Sequence, residues 1–231
     1  MQSIQDPAAP SGAVILLSGG LDSATVLAMA HAQQYQLHTI AFDYGQRHRI
    51  ELERSRRIAG KYNCDHRELR IDPGLFLGTA LVDPKLNVPD YDPSSTGIPI
   101  TYVPARNALF LAHALSLAES LQAAAIFIGV NALDYSGYPD CRPEFITAFQ
   151  AMARLGTRTG LAEKAIRIET PLIQMSKAEI IRTGAALGVD YGLTSSCYNP
   201  DLVGRPCQKC ASCALRAKGF AEAGLLDPLM S

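Results

Sequence analysis

The stretch Ala13-Val14-Ile15-Leu16-Leu17-Ser18-Gly19-Gly20-Leu21-Asp22-Ser23 decides how this chain is read. An unbroken apolar run closed by serine and two glycines suits a strand covered on both faces, as in a parallel sheet. From Asp22 to Gln33 the apolar residues then fall at helical spacing. Ser18 to Ser23 is therefore a strand-to-helix turn at a strand's carboxyl end, where open α/β sheets bind their ligands. Its glycines let the backbone approach a ligand closely, and the helix start offers free N–H groups and a positive dipole end to phosphate. Ser18 and Ser23 add hydroxyl donors. Asp22 would repel a phosphate in direct contact, so it reads as a helix cap or as a carboxylate for Mg²⁺. The string is neither Gly-x-x-x-x-Gly-Lys-Ser/Thr nor Gly-x-Gly-x-x-Gly. Two glycines alone would be an ordinary capped turn.

Outward from this turn, β-like and helical runs alternate. Leu37 to Phe42, His66 to Ile71, Ala124 to Ile128 and Ile166 to Glu169 read as strands. Arg49 to Tyr62, Asn107 to Gln122, Pro143 to Leu155 and Ser176 to Leu187 read as helices. Ser176 and Glu179 are spaced as a capping box, and Gly188 is placed to end that helix. The alternation predicts an α/β fold, a Rossmann-like doubly wound parallel sheet with helices on both faces. Asp72 to Pro104 interrupts it with six prolines; a loop that long inside a compact domain is usually functional or mobile. The expected divisions are a loose N-terminal tail at 1–11, an α/β domain at 12–190, and a cysteine-rich segment at 191–231.

Composition excludes several classes. With 231 residues, 48% hydrophobic and 19% charged, the chain has the make-up of a packed protein. A net charge of −1 leaves no footprint for wrapping nucleic acid. No apolar run is long enough to span a bilayer, and the start lacks the features of a secretion signal. A cytoplasmic location is expected.

Four of the six cysteines crowd near the C-terminus. Cys197, Cys207, Cys210 and Cys213 form C-x9-C-x2-C-x2-C, a pattern for a closed tetrahedral Zn²⁺ site. An Fe–S cluster is the alternative, which spacing does not decide. Cys141 reads as a core residue, since nothing near it identifies a base.

Other strings fall at expected strand ends. Phe42-Asp43-Tyr44-Gly45-Gln46-Arg47-His48 reads as a polar βα loop. Arg106, at a helix start, is a candidate phosphate contact or a surface ion pair. Asp134 to Phe145 gathers aromatics and carboxylates suited to a flat heterocycle. Within it, Asp140 or Glu144 could accept from a purine-like ring N–H and amine. Lys177 could neutralise phosphate charge, or be a surface lysine.

The six-residue turn resembles the pyrophosphate loop (PP-loop) of the ATP pyrophosphatase superfamily, whose members cut ATP between its α and β phosphates and pass AMP to a substrate. With Phe42 to His48, Asp134 to Phe145, Pro171 to Ile180 and the four cysteines, the chain from about Ala13 to Ala221 resembles the 7-cyano-7-deazaguanine synthase family. One departure is Ala105, where glycine is expected in many relatives. The resemblance implies conversion of 7-carboxy-7-deazaguanine and ammonia to the 7-cyano compound with ATP and Mg²⁺, and a structural Zn²⁺ on the four cysteines. It implies ATP contacts along Leu17, Ser18, Gly19, Gly20, Leu21, Asp22, Ser23, Ala24, Thr25, Val26 and Leu27, with Arg106 in support. Asp22, Ser23 and Lys177 are the expected catalytic residues, and Asp140, Arg142 and Glu144 the expected substrate contacts. The expected partners are small molecules, without nucleic acid or membrane; a homodimer is compatible with the sequence, which does not set oligomeric state. Two rivals share the loop: a tRNA modifier gripping RNA through its cysteine tail, and a metal-stabilised nucleotide sensor without turnover.

Overall fold

The computed structural model describes residues 11–133 and 137–230. Five strands, β1 (Gly12–Leu16), β2 (Gln36–Asp43), β3 (Asp65–Arg70), β4 (Ala125–Phe127) and β5 (Arg167–Glu169), form one parallel sheet in the order β3-β2-β1-β4-β5. The chain leaves β1 toward β2 and β3, then returns to lay β4 on the other side. The order therefore reverses beside β1, and the clefts of such sheets open at that reversal.

Strand alternation accounts for the layers. Val14 and Leu16 of β1, with Ile126 of β4, enter one hydrophobic cluster; Ala13, Ile15 and Leu17, with Ala125 and Phe127, enter another. Both faces are buried, which is why β1 reads as a continuous apolar run instead of an alternating one. On the first face lie α3 (Arg106–Ser120), through Leu111, Ala114, Leu115 and Ala118, and α4 (Pro143–Gly156), through Ile146, Phe149 and Ala153. On the second lie α1 (Leu21–Ala32), α2 (Ile50–Lys61), α6 (Lys177–Ala186) and α7 (Ala211–Ala223). The short α5 (Arg158–Leu161) follows α4, its start capped by the Thr157 hydroxyl. β3 is a largely exposed edge strand, in keeping with its weak apolar signal.

The capping box forms in full: Ser176 accepts from the Glu179 N–H, while Glu179 accepts from the Ser176 N–H. The long proline-rich loop is pinned at both ends, with Phe76, Leu81 and Val103 buried and residues 89–100 exposed. Arg47 N–H donates to the Leu81 carbonyl at 2.9 Å, so this loop is tied to the turn after β2.

The compositional change at Tyr191 is not a break in packing. Tyr191 and Phe220 belong to the same cluster as α1 and α6, and the Tyr191 hydroxyl lies 2.9 Å from Thr25 Oγ1. Arg216 of α7 is buried and paired with Asp227, its Nε and Nη2 at 2.7 and 2.8 Å from the carboxylate. The segment after residue 190 thus shares the core of the α/β layers.

Candidate active site

A cleft opens at the carboxyl ends of β1, β2 and β4, and the turn after β1 forms its floor. Gly19 takes a left-handed conformation (φ +87°), and a Cβ there would lie 2.2 Å from the Glu51 carbonyl. The turn passes so close to α2 that only glycine fits. Ser18 Oγ accepts from the Gly20 N–H at 3.2 Å and lies 3.1 Å from Ser23 Oγ, which in turn donates to the Gly20 carbonyl at 3.1 Å. The two hydroxyls hold each other across the turn, and α1 begins directly behind them.

The capping role for Asp22 does not occur. Gly20, which has no side chain to cap with, is the N-cap of α1. Asp22 instead receives Lys177 Nζ, at 2.8 Å on Oδ1 and 2.9 Å on Oδ2. Nor is Lys177 a surface lysine: it is only 7% exposed. Its stem runs along α7 at Gly219, where a Cβ would lie 2.4 Å from Lys177 Cγ. A carboxylate of α1 and an ammonium of α6 thus meet beside the phosphate loop, although Lys177 itself does not line the cleft.

Of the residues implied for ATP, Leu17, Ser18, Gly20, Leu21, Asp22, Ser23 and Arg106 line the cleft. Ala24, Thr25, Val26 and Leu27 do not line the cleft: all four are buried among the core behind the loop, and Thr25 Oγ1 donates to the Leu21 carbonyl at 3.0 Å. Arg106 is no surface ion pair. Its Nη1 donates to the Tyr44 hydroxyl at 3.2 Å, and its guanidinium lies 5.9 Å from the Tyr44 ring centre and 5.8 Å from that of Phe110. Two aromatic faces therefore hold the cation in the cleft.

The heterocycle loop divides. Asp134, Tyr135 and Ser136 lie outside the described residues. Asp140 is buried in the cleft, and its Oδ2 accepts from the Asn107 N–H at 2.9 Å. One carboxylate oxygen therefore serves the start of α3, where the N-cap Ala105 has φ +50° and no side-chain cap. Arg142 and Glu144 are exposed and neither lines the cleft, with Pro143 starting α4 between them. Arg142 Nε donates to the Pro139 carbonyl at 3.2 Å. Cys141 is buried beside Asp140, accepts from Asn107 Nδ2 at 3.4 Å, and burial pushes its thiol up to about 12. A thiol so rarely ionised is a poor nucleophile.

The four tail cysteines converge, with their sulfurs all within 4.8 Å of one another. Zinc with Zn–S bonds of about 2.3 Å sets tetrahedral sulfurs about 3.8 Å apart, and Cys207 Sγ lies 4.0 Å from Cys213 Sγ. Amides of Asn199 and Cys207 point at Cys197 Sγ, at 3.3 and 3.2 Å, which favours thiolate. The donor set fits one closed metal site.

The family model described as queuosine biosynthesis protein QueC matches residues 12–224. The chain belongs to the QueC family. It is 57% identical over 217 residues to the 7-cyano-7-deazaguanine synthase of Pseudomonas paraeruginosa, spanning 94% of this chain and 96% of that one. It is 56% identical over 221 residues to that of Kineococcus radiotolerans, with the same coverage, 94% and 96%. Among solved structures it is similar to a 4-thiouridine synthetase in complex with RNA and ATP, with a TM-score of 0.50 and 16% identity over 93% of this chain and 50% of that one. That likeness extends to the fold alone, and the chain spans half of that protein.

Several cleft residues of this QueC chain have no individual role assigned from the sequence. His48 is 3% exposed and its Nε2 lies 3.2 Å from Glu51 Oε2, a pair built across one turn at the start of α2. Gln46 closes the same loop on itself, donating to the Phe42 carbonyl and accepting from the Tyr44 N–H, both at 2.9 Å. Thr101 Oγ1 and the Tyr138 hydroxyl meet at 3.0 Å, joining the long loop to the heterocycle loop. Ser196 and Tyr198 reach the cleft from the cysteine segment. Their one sequence signal is adjacency to Cys197.

Proposed function

We propose that this chain converts 7-carboxy-7-deazaguanine and ammonia into 7-cyano-7-deazaguanine at the expense of ATP, through an adenylated carboxylate and an amide. The observation that carries the reading is the phosphate loop at the sheet's reversal, opening into a cleft with Asp22, Lys177 and Arg106 about it. Membership of the QueC family and the name of the relatives support the substrate.

A carboxylate is a poor electrophile because its charge is delocalised and its oxygen leaves badly. Its oxygen attacks the α-phosphorus, and the bond to the β-phosphate breaks with loss of pyrophosphate. Ammonia then attacks the acyl carbon, AMP leaves, and a proton is lost to give the amide. The amide oxygen attacks a second α-phosphorus, again expelling pyrophosphate. Loss of the remaining N–H protons and of AMP leaves the nitrile. Each oxygen removed needs its own activation, so two ATP yield two AMP and two pyrophosphate.

The protein's share is positioning and charge stabilisation. The Ser18–Ser23 turn and the amides at the start of α1 cradle the phosphates. Asp22 is suited to Mg²⁺, which would draw charge from the phosphates; Lys177, released from Asp22 toward the nucleotide, supplies a cation. Arg106 meets carboxylate or phosphate, and Asp140 offers its remaining oxygen to the amidine edge of the heterocycle. The four cysteines hold Zn²⁺ as a structural ion, since four thiolates leave no position open. The reaction uses diffusible small molecules and calls for neither nucleic acid nor membrane. Among the described residues no helix is long and apolar enough to cross one. We place the protein in the cytoplasm; a homodimer is compatible with this reading.

Chromatography of mixtures containing heterocycle, ammonia and ATP tests it. AMP should form only when the acid or the amide is present, and the 7-amido compound supplied without ammonia should still consume ATP and give nitrile. An inert amide would overturn the shared-site scheme, and amide as the final product would make the protein an amide ligase.

A further inference from the structure

One wall of the phosphate site comes from the segment that leads into the cysteine cluster. Thr194, Ser195 and Ser196 connect the Tyr191–Leu193 turn to Cys197, and each is fixed differently. Thr194 Oγ1 donates to the Tyr191 carbonyl at 2.7 Å and accepts from Arg216 Nη1 at 2.8 Å. Ser195 N–H donates to the Gly19 carbonyl at 2.9 Å. Ser196 Oγ accepts from the Leu21 N–H at 3.4 Å.

That last contact joins two facts. Leu21 is the first residue of α1, so its N–H has no partner inside the helix and belongs to the set a helix start presents to an anion. At 3.4 Å the bond is long for N–H···O, and so readily exchanged for a charged acceptor. Ser196 lines the cleft. A hydroxyl both accepts and donates, so the group that receives the amide here can turn its O–H toward a phosphate oxygen.

We propose that Ser196 is a phosphate-binding residue of the nucleotide site. Its hydroxyl covers the Leu21 amide in the free protein; with ATP bound, the amide passes to a phosphate oxygen and Ser196 donates to the phosphate chain. The strap is held at one end by Arg216 on Thr194 and at the other by the cysteine cluster at Cys197. Ser196 is thereby placed before ligand arrives, and little ordering is needed on binding. The assignment rests on the ATP reading above.

Calorimetry on the full, metal-loaded chain tests it, with α,β-methylene-ATP and Mg²⁺ as one probe and adenosine, measured by competition, as the other. Metal content is checked in each preparation. Ser196→Ala should bind the analogue about 10- to 100-fold more weakly, the loss of one hydrogen bond to a charged group, with adenosine affinity unchanged. Unchanged analogue affinity would overturn the assignment. Equal losses for analogue and adenosine would overturn it too, because they report displacement of the whole strap. Wild-type protein that fails to bind the analogue would remove the ATP reading and this assignment together, and that failure is seen before any variant is made.

Discussion

Lys177 Nζ sits between both oxygens of Asp22, at 2.8 and 2.9 Å, across 155 residues of sequence. The side chains are 8% and 18% exposed, so neither charge is well solvated without the other. Breaking a buried pair from one side leaves an uncompensated charge and costs about 3 to 5 kcal/mol, whereas removing both partners costs far less. Lys177→Met and Asp22→Asn should each lower the melting temperature, and the double variant should melt above either single one. All three should lose turnover by about 10²- to 10³-fold, the loss expected when charge stabilisation goes. Thermal melts beside steady-state rates check this; additive destabilisation in the double variant would mean the pair is not coupled.

Asp140 faces two tasks, and two substitutions separate them. Asp140→Ala removes the acceptor for the Asn107 N–H and should cost about 1 kcal/mol of stability, as loss of a helix cap does. Asp140→Asn can keep that bond through its amide oxygen, but its NH2 then stands where the remaining carboxylate oxygen would accept from the amidine edge. It should therefore melt near wild type while binding the heterocycle at least about ten-fold more weakly, because a buried polar contact is lost. Glu144→Ala, on the exposed face of α4, should change heterocycle affinity by no more than about two-fold. Titration of the three variants decides where the pocket lies.

Ala105 adopts φ +50° and ψ 25° at the start of α3. A left-handed conformation costs a non-glycine residue about 1 to 2 kcal/mol, part of which glycine returns through its freer unfolded chain. Ala105→Gly should stabilise the protein by about 0.5 to 1 kcal/mol, raising the melting point by about 2 °C for a domain of this size. A lower melting point would show that the loop has another way to relieve the strain.

One Zn²⁺ per chain is the expected metal content. Cys210→Ser should strip the metal and give protein that proteases cut readily, since Cys210 starts α7 and α7 contributes Phe220 to the core. Iron and sulfide in the metal analysis would reassign the site, and a stable metal-free variant would remove its structural role.

What the sequence disclosed follows from how local each signal is. β1 and its turn were legible because burial on both faces leaves a continuous apolar run, and the α6 capping box because its partners lie three residues apart. The four cysteines were legible because metal chemistry restricts residue type more than spacing. The burial of Lys177 was not, since it depends on Gly219 of α7, which lies 42 residues further along the chain (219 − 177). Arg142 and Glu144 face solvent because a proline between them starts a helix, away from the cleft that Asp140 lines. Ser196 was hidden for a related reason: a serine beside a cysteine ligand carries no pattern, and its contact with Leu21 exists only in the folded chain.

Gly219 bears on what kind of helix α7 is allowed to be. Glycine in a helix interior is about 1 kcal/mol worse than alanine, so the usual improvement would be to replace it. Here the added methyl would fall 2.4 Å from Lys177 Cγ and 2.9 Å from Ile181 Cδ1, displacing the cation that faces Asp22. Selection for a sturdier helix and selection for a correctly aimed lysine therefore oppose each other at one position. An engineered variant optimised by helix propensity alone would lose more at residue 219 than the helix gains, because the displaced lysine leaves Asp22 uncompensated.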